Sequence, residues 1–269
     1  MDFFEILKNM MLPNRDNGME FTNTERIEKI TALLQESKYR KVNEDGLFLL
    51  YAADQIAKIE HPVLISSHID CVEEITGFFS KEYGDDMILG TYDNGITNAA
   101  VLYLMLTGKM PNNVLVAFTG DEECSAAGAR QVVDYLTKRQ KKPVVTIVLD
   151  VTDMGWDAQV DFTVENNFWD DNLGKKIIGT VQLASSRWRF VPSDEENVPQ
   201  YVGHPYVIYE EAEEDESWEY DEHNWTCFSF CLPTCGPMHS NEGLLARKSG
   251  CMRYMEGLAA VADALAKEL

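Results

Sequence analysis

Three apolar runs, each ending in residues that can carry charge, constrain this chain more than any other feature. Val63-Leu64-Ile65 leads into Ser66-Ser67-His68-Ile69-Asp70, Val114 to Phe118 into Thr119-Gly120-Asp121-Glu122-Glu123, and Val144 to Leu149 into Asp150. Unbroken apolar runs of this length suit strands covered on both faces, as in a parallel sheet packed between helices. In such sheets, chemistry collects at the carboxyl ends of the strands. Three buried strands would thus bring an imidazole and several carboxylates to one edge.

The segments between these runs predict an alternating order. Thr22-Asn23-Thr24-Glu25 can cap a helix, and Ile27, Ile30, Leu33 and Leu34 recur at helical spacing through about Glu36. Leu47 to Ala52 is a strand candidate, and the polar stretch from Gly77 to Leu89 a loop or hairpin. Ile96 to Leu106 reads as a buried helix stopped at Gly108, and Ala126 to Arg139 as a second helix. Later strands are expected over Asp161 to Glu165, Arg187 to Val191 and Thr226 to Cys231, with helices over Leu173 to Leu183 and Gly250 to Leu269. Parallel strands need long crossovers, so this β-α-β-α-β order predicts an α/β fold. The expected architecture is a three-layer α-β-α sandwich with a mixed, mostly parallel central sheet.

Composition narrows the function classes. With 269 residues and 45% apolar content the chain can bury one large core, and no linker divides it, so residues 1–269 are expected to form a single catalytic domain. The first residues lack a signal-peptide pattern and no apolar run approaches the ~20 residues of a membrane helix, which predicts a cytoplasmic protein. Six cysteines without zinc-finger spacing are expected as reduced, mostly buried thiols, and Cys231-x-x-x-Cys235 as packing. The net charge is −22, but nine acidic residues lie between Glu210 and Glu222. That 210–222 run is expected to be a solvated acidic loop, or else a screen at the site entrance that attracts cationic substrates. The overall charge disfavours nucleic-acid binding.

Five motifs, in order, carry a family resemblance: Ser-Ser-His68-Ile-Asp70, Gly90-Thr-Tyr-Asp93-Asn-Gly, Thr-Gly-Asp-Glu122-Glu123 with Gly128, Leu-Asp150, and Met-His239-Ser-Asn-Glu-Gly. Together they resemble the di-zinc exopeptidase superfamily, which includes bacterial aminopeptidases, tripeptidases, a glutamate-releasing carboxypeptidase and aminoacylases. Singly each motif is commonplace. The resemblance spans roughly residues 25 to 269.

The resemblance implies a residue for each part of a two-metal site. His68 and Asp150 would bind one ion, Glu123 and His239 the other, and Asp93 both, since two ions ~3.5–4 Å apart need a shared anion. Asp70, two residues from His68, would leave a strand end on the same face and hold the imidazole's second nitrogen. Glu122 would be the general base and later the acid. The bond after Asp93 is a candidate for the cis form, and Asp153 is a rival to Asp150. His61, His204 and His223 fit no motif and are expected to be structural or at the surface. Zinc suits such a donor set, with manganese or cobalt also possible.

The implied reaction is hydrolysis of an amide bond in a small peptide or N-substituted amino acid. Lid-bearing relatives insert a domain of ~100 residues between the fourth and fifth ligands. Here 88 residues separate Asp150 from His239 and are needed to finish the sheet, so a compact aminopeptidase is expected. An aminopeptidase needs acidic groups for the substrate's free ammonium. A deacylase or carboxypeptidase needs a basic anchor, for which Arg187, Arg189 and Arg247 are the candidates. A non-catalytic binding or scaffold descendant would have lost ligands or base, whereas every key position is filled. Substrate side chain, native metal and oligomeric state are not encoded legibly.

Overall fold

A computed structural model describes residues 1–12, 24–43, 45–157, 159–165, 179, 206–208 and 215–269. Apart from Gly179, which is helical, the expected elements at Leu173–Leu183 and Arg187–Val191 lie outside these residues, as do Thr22, Asn23 and His204.

Among the described residues, the apolar runs form the centre of an eight-stranded sheet. Its strands are β1 (Arg40–Lys41), β2 (Phe48–Ala52), β3 (Val63–His68), β6 (Val114–Thr119), β7 (Val145–Thr152), β8 (Thr163–Glu165), β9 (Tyr206–Ile208) and β10 (Cys227–Pro233). They are ordered β1-β2-β6-β3-β7-β10-β8-β9. The pairs β3 with β6, β3 with β7, β7 with β10 and β8 with β9 are parallel, while β1–β2, β2–β6 and β8–β10 are antiparallel. Every residue of β3 and β6 is buried, which is why Val63–Ile65 and Val114–Phe118 are apolar on consecutive positions instead of alternating. The polar 77–89 stretch includes the hairpin of β4 (Ser80–Glu82) and β5 (Met87–Gly90), which β11 (Leu244–Arg247) extends into a small antiparallel sheet.

Helices cover both faces of the sheet. One apolar cluster joins α1 (Phe3–Met10), α2 (Thr24–Leu34), α3 (Gly95–Leu106) and α6 (Lys248–Glu268) to one face; the other joins α4 (Ala127–Lys138) to the opposite face. Helix α1 was not anticipated, although its signal is present. Asp2 accepts the Glu5 N–H and Glu5 accepts the Asp2 N–H, a reciprocal capping box, and Phe3, Ile6, Leu7 and Met10 form its buried face.

The acidic run is not a solvated loop over its described part. Ser217–Glu222 form helix α5, and Asp215, Glu216 and Glu219 are all buried. Burial is tolerable because each carboxylate has donors. Arg130 of α4 forks onto both oxygens of Glu219 at 3.0 and 2.9 Å, Thr119 Oγ1 donates to Glu216 at 2.6 Å, and Asp215 accepts the Ser217 N–H and the Ser229 hydroxyl.

Gly128 explains a motif position that no ligand role covers. Its N–H donates to the Gly120 carbonyl at 3.0 Å, and a Cβ there would lie 2.5–2.6 Å from backbone atoms of Gly120 and Leu47. Gly128→Ala should destabilise the fold by about 1–3 kcal/mol, the usual cost of overpacking, and displace the loop carrying Glu122 and Glu123. Denaturant unfolding tests this, and unchanged stability would show that the approach is slack.

Candidate metal centre

The seven predicted site residues arrive from five places in the chain, and the sheet brings them together. His68 ends β3, Asp70 follows two residues later, Glu122 and Glu123 follow β6, and Asp150 lies within β7 beside Cys231 of β10 in register. Asp93 stands just before α3. His239 comes from the loop between β10 and β11 and has a positive φ of 55°. Asn241 pins that loop by accepting the Thr76 and Gly77 N–H groups and donating to the Glu74 carbonyl.

Asp93 lies between the two imidazoles. Its Oδ1 is 3.2 Å from His68 Nε2 and its Oδ2 is 3.1 Å from His239 Nε2. The remaining acids divide between the two histidines. Asp150 Oδ1 and Glu122 Oε2 lie 3.8 and 3.9 Å from His68 Nε2, and Glu123 Oε2 lies 3.4 Å from His239 Nε2. Adjacent Glu122 and Glu123 thus approach different histidines. Three overlapping groups have ligand atoms within 4.8 Å of one another: His68 with Asp93 and Asp150, His68 with Glu122 and Glu123, and Asp93 with Glu123 and His239. Asp153 is exposed and stands outside these groups, so the geometry favours Asp150. The Asp93–Asn94 peptide is cis.

Backbone and side-chain bonds fix these groups. Asp70 Oδ1 lies 3.5 Å from His68 Nδ1, and its Oδ2 accepts the Glu123 N–H at 3.2 Å, so one carboxylate links two strand ends. Asn98 donates to the His68 carbonyl and Asn94 to the Leu149 carbonyl, tying the start of α3 to β3 and β7. Asn94 is visible in the motifs as a turn residue, and Asn98 had no sequence signal.

The electrostatics show what this concentration of charge requires. Burial pushes Glu122 well above the ordinary carboxylate range, with Asp150, Glu123 and Asp93 adding to the rise. Burial and the Asp93 charge lift Glu123 to about 8, and burial lifts Asp150 to about 6. Burial also opposes ionised Asp93, but the two histidines more than offset it and hold this carboxyl well below its usual range. His239 is raised to about 9, mainly by its bond to Asp93. Burial opposes charge on His68, yet Glu122 and the nearby aspartates raise it well above an ordinary histidine. Buried Asp93 Oδ1 and Glu123 Oε1 have no hydrogen-bond donor. Two imidazoles and four oxygen donors with unused lone pairs fit divalent cations.

Two further acids lie on the same cavity. Glu165 of β8 and Asp215, ahead of α5, line it together with the metal-type residues, Val151, Cys231 and Met238, in a volume of about 120 Å3. Ser229 of β10 is in register with Glu165 and donates to Asp215. Among the described residues, neither lysine nor arginine lines the cavity. Arg247 instead stacks on Trp156 at 3.7 Å and lines a separate cavity, and Arg187 and Arg189 lie outside the described residues. His61 is exposed, and His223 bonds to the Glu219 carbonyl at 2.9 Å, both as expected. The six cysteines form no disulfide with one another.

The model of Peptidase family M28 matches residues 52–194, just over half of the chain and the part holding His68, Asp70, Asp93, Glu122, Glu123 and Asp150. The chain belongs to peptidase family M28. Among curated proteins none matches it in sequence. Solved structures with a similar fold include LapA aminopeptidase of Legionella pneumophila, at 15% identity and TM-score 0.65 over 99% of this chain and 72% of that one. The TET1 peptidase of Pyrococcus horikoshii aligns at 11% identity and TM-score 0.62, over 97% and 99% of the two chains. The zinc aminopeptidase BSAP of Bacillus subtilis aligns at 16% identity and TM-score 0.53, over 80% of this chain and 48% of that one. Among the described residues, no helix of this M28 member is long and apolar enough to cross a membrane.

The raised groups set a pH dependence for the metal-free protein. Asp150, Glu216 and Glu123, at about 6, 7 and 8, keep protons when folded that they lose near 4 when unfolded. Both histidines shift in the same direction. The folded state therefore holds more protons, and stability falls as pH rises from about 4 to about 9. Asp93, being lowered, acts below that window. Thermal unfolding of chelator-treated protein should give a lower midpoint at pH 8 than at pH 5; the reverse order would contradict these environments.

Proposed function

We propose that this M28 peptidase is an aminopeptidase, or small-peptide exopeptidase, using two divalent ions, with zinc the best match to its donors. The carrying observation is Asp93, whose two oxygens face His68 and His239 at 3.2 and 3.1 Å, the arrangement a shared ligand requires. His68 and Asp150 would hold one ion and Glu123 and His239 the other, with Asp93 on both. When bound, the ions would acidify a water and polarise the scissile carbonyl.

The protein's own groups then divide the work. Glu122, buried and surrounded by like charge, has a high proton affinity suited to accepting the water's proton and passing it to the leaving amine. Asp70 Oδ1, 3.5 Å from His68 Nδ1, would orient the ring electrostatically and leave Nε2 toward the site. Glu165 and Asp215 place negative charge on the cavity wall where a substrate's free ammonium can be received. The lack of a basic group on the described lining supports this orientation over a deacylase or carboxypeptidase, which must bind a carboxylate. The solved aminopeptidases of like fold support the same reading. Six cysteines with no disulfide among them suit the reducing, cytoplasmic location that we propose.

Metal analysis followed by substrate panels tests the proposal. Aminoacyl amides should be cleaved after zinc loading and N-acetylated counterparts should not; cleavage confined to N-acyl substrates would sink the aminopeptidase assignment. Glu122→Gln should retain zinc and lose about 10²–10⁴-fold in kcat. Asp215→Asn and Glu165→Gln should each lower kcat/KM for free-amino substrates by roughly tenfold or more, the worth of a charge-assisted bond, chiefly through KM. Unchanged KM in both would remove the ammonium role.

A further inference from the structure

Arg26, in α2, is fully buried, yet among the described residues it makes no ion pair. Such a guanidinium is costly unless its donors are used. One nitrogen donates to the Ile69 carbonyl at 2.7 Å, another contacts Cys71 Sγ at 3.7 Å, and the group sits 5.3 Å from the Phe78 ring centre. Ile69 and Cys71 flank Asp70, so Arg26 grips the chain on both sides of the residue that supports the centre.

Asp70 has no freedom to spare. One oxygen faces His68 Nδ1 and the other accepts the Glu123 N–H, so its position sets a group from each half of the centre. The Ile69 N–H bonds to the Thr119 carbonyl at 2.8 Å and holds this turn to β6, and Arg26 bonds to the Ile69 carbonyl on the turn's other side. From this geometry we propose that Arg26 is a positioning residue for the metal centre. It clamps the Ile69–Cys71 turn so that Asp70 presents its two oxygens to His68 and Glu123 together. The role rests on the two-metal reading, and its effect is on metal affinity before it is on chemistry.

The test measures zinc affinity by competition with a chromophoric chelator, alongside the unfolding midpoint of the metal-free protein. Arg26→Met keeps an apolar body beside Phe78 and removes the donors; zinc should bind about 10–100-fold more weakly, as when outer-sphere partners of metal ligands are lost. Combining it with Asp70→Asn should weaken zinc no further than Asp70→Asn alone, because both act on one path. Additive losses would indicate a general packing role and overturn the proposal, as would wild-type zinc affinity in a folded Arg26→Met protein. If Arg26→Met does not fold, Arg26→Lys decides: its single ammonium cannot span both contacts, so weaker zinc supports the clamp and wild-type affinity overturns it. Failure of the wild-type protein to bind zinc would instead refute the two-metal reading.

Discussion

Like charge gathered at the carboxyl ends of buried strands is the constraint on which the rest of this structure depends. Four carboxylates stand within a few ångströms of His68 and His239 in an interior of low dielectric, where their repulsion is far stronger than in water. Without cations the fold must retain protons on Glu122, Glu123 and Asp150 that such groups ordinarily release. The surrounding polar bonds oppose this repulsion. Asn94 and Asn98 tie the start of α3 to two strand ends, Asp70 ties β3 to the Glu123 loop, and Arg26 holds the Asp70 turn. A site that has to be held together this firmly is already shaped for ions when they arrive.

The acidic run shows the same economy applied to the second wall of the cavity. Glu219 locks α5 to α4 through Arg130, Glu216 caps the end of β6 through Thr119, and both bonds hold Asp215 over the cavity. A dense acidic sequence ordinarily stays in water because no nearby donors satisfy it. Here Asp215 takes one donor locally, from the Ser217 N–H, and one from Ser229 of β10, while the donors to Glu216 and Glu219 come from β6 and α4, about ninety residues away in sequence, where no local rule could have supplied them.

What was legible followed from short-range regularities. The unbroken apolar runs marked β3, β6 and β7, and helical spacing marked α3, α4 and α6 to within about two residues. His68, Asp93, Glu122, Glu123, Asp150 and His239 were identifiable because five motifs recur in a known order. The misses have different causes. Helix α1 carries its capping box openly, but its eight residues give only two turns of apolar spacing. Glu165 sits in an ordinary three-residue strand, and only the pairing of β8 with β10 puts it on the cavity. Arg247, a reasonable carboxylate anchor by type, is held by Trp156 away from the catalytic cavity.

By itself, the sequence determined the layered α/β fold and the strand ends that carry chemistry, because burial and apolar spacing act between near neighbours along the chain, and it indicated the reaction class through the family resemblance of its five motifs. Only the tertiary structure decided that Asp93 turns one oxygen to each histidine, that Glu122 and Glu123 approach different histidines, that Asp150 and not Asp153 joins the cluster, and that an acidic stretch becomes a buried wall. Those outcomes depend on sheet order and on donors tens of residues away, and a charge's surroundings, not its identity, determine whether it is solvated, paired or poised to bind a cation.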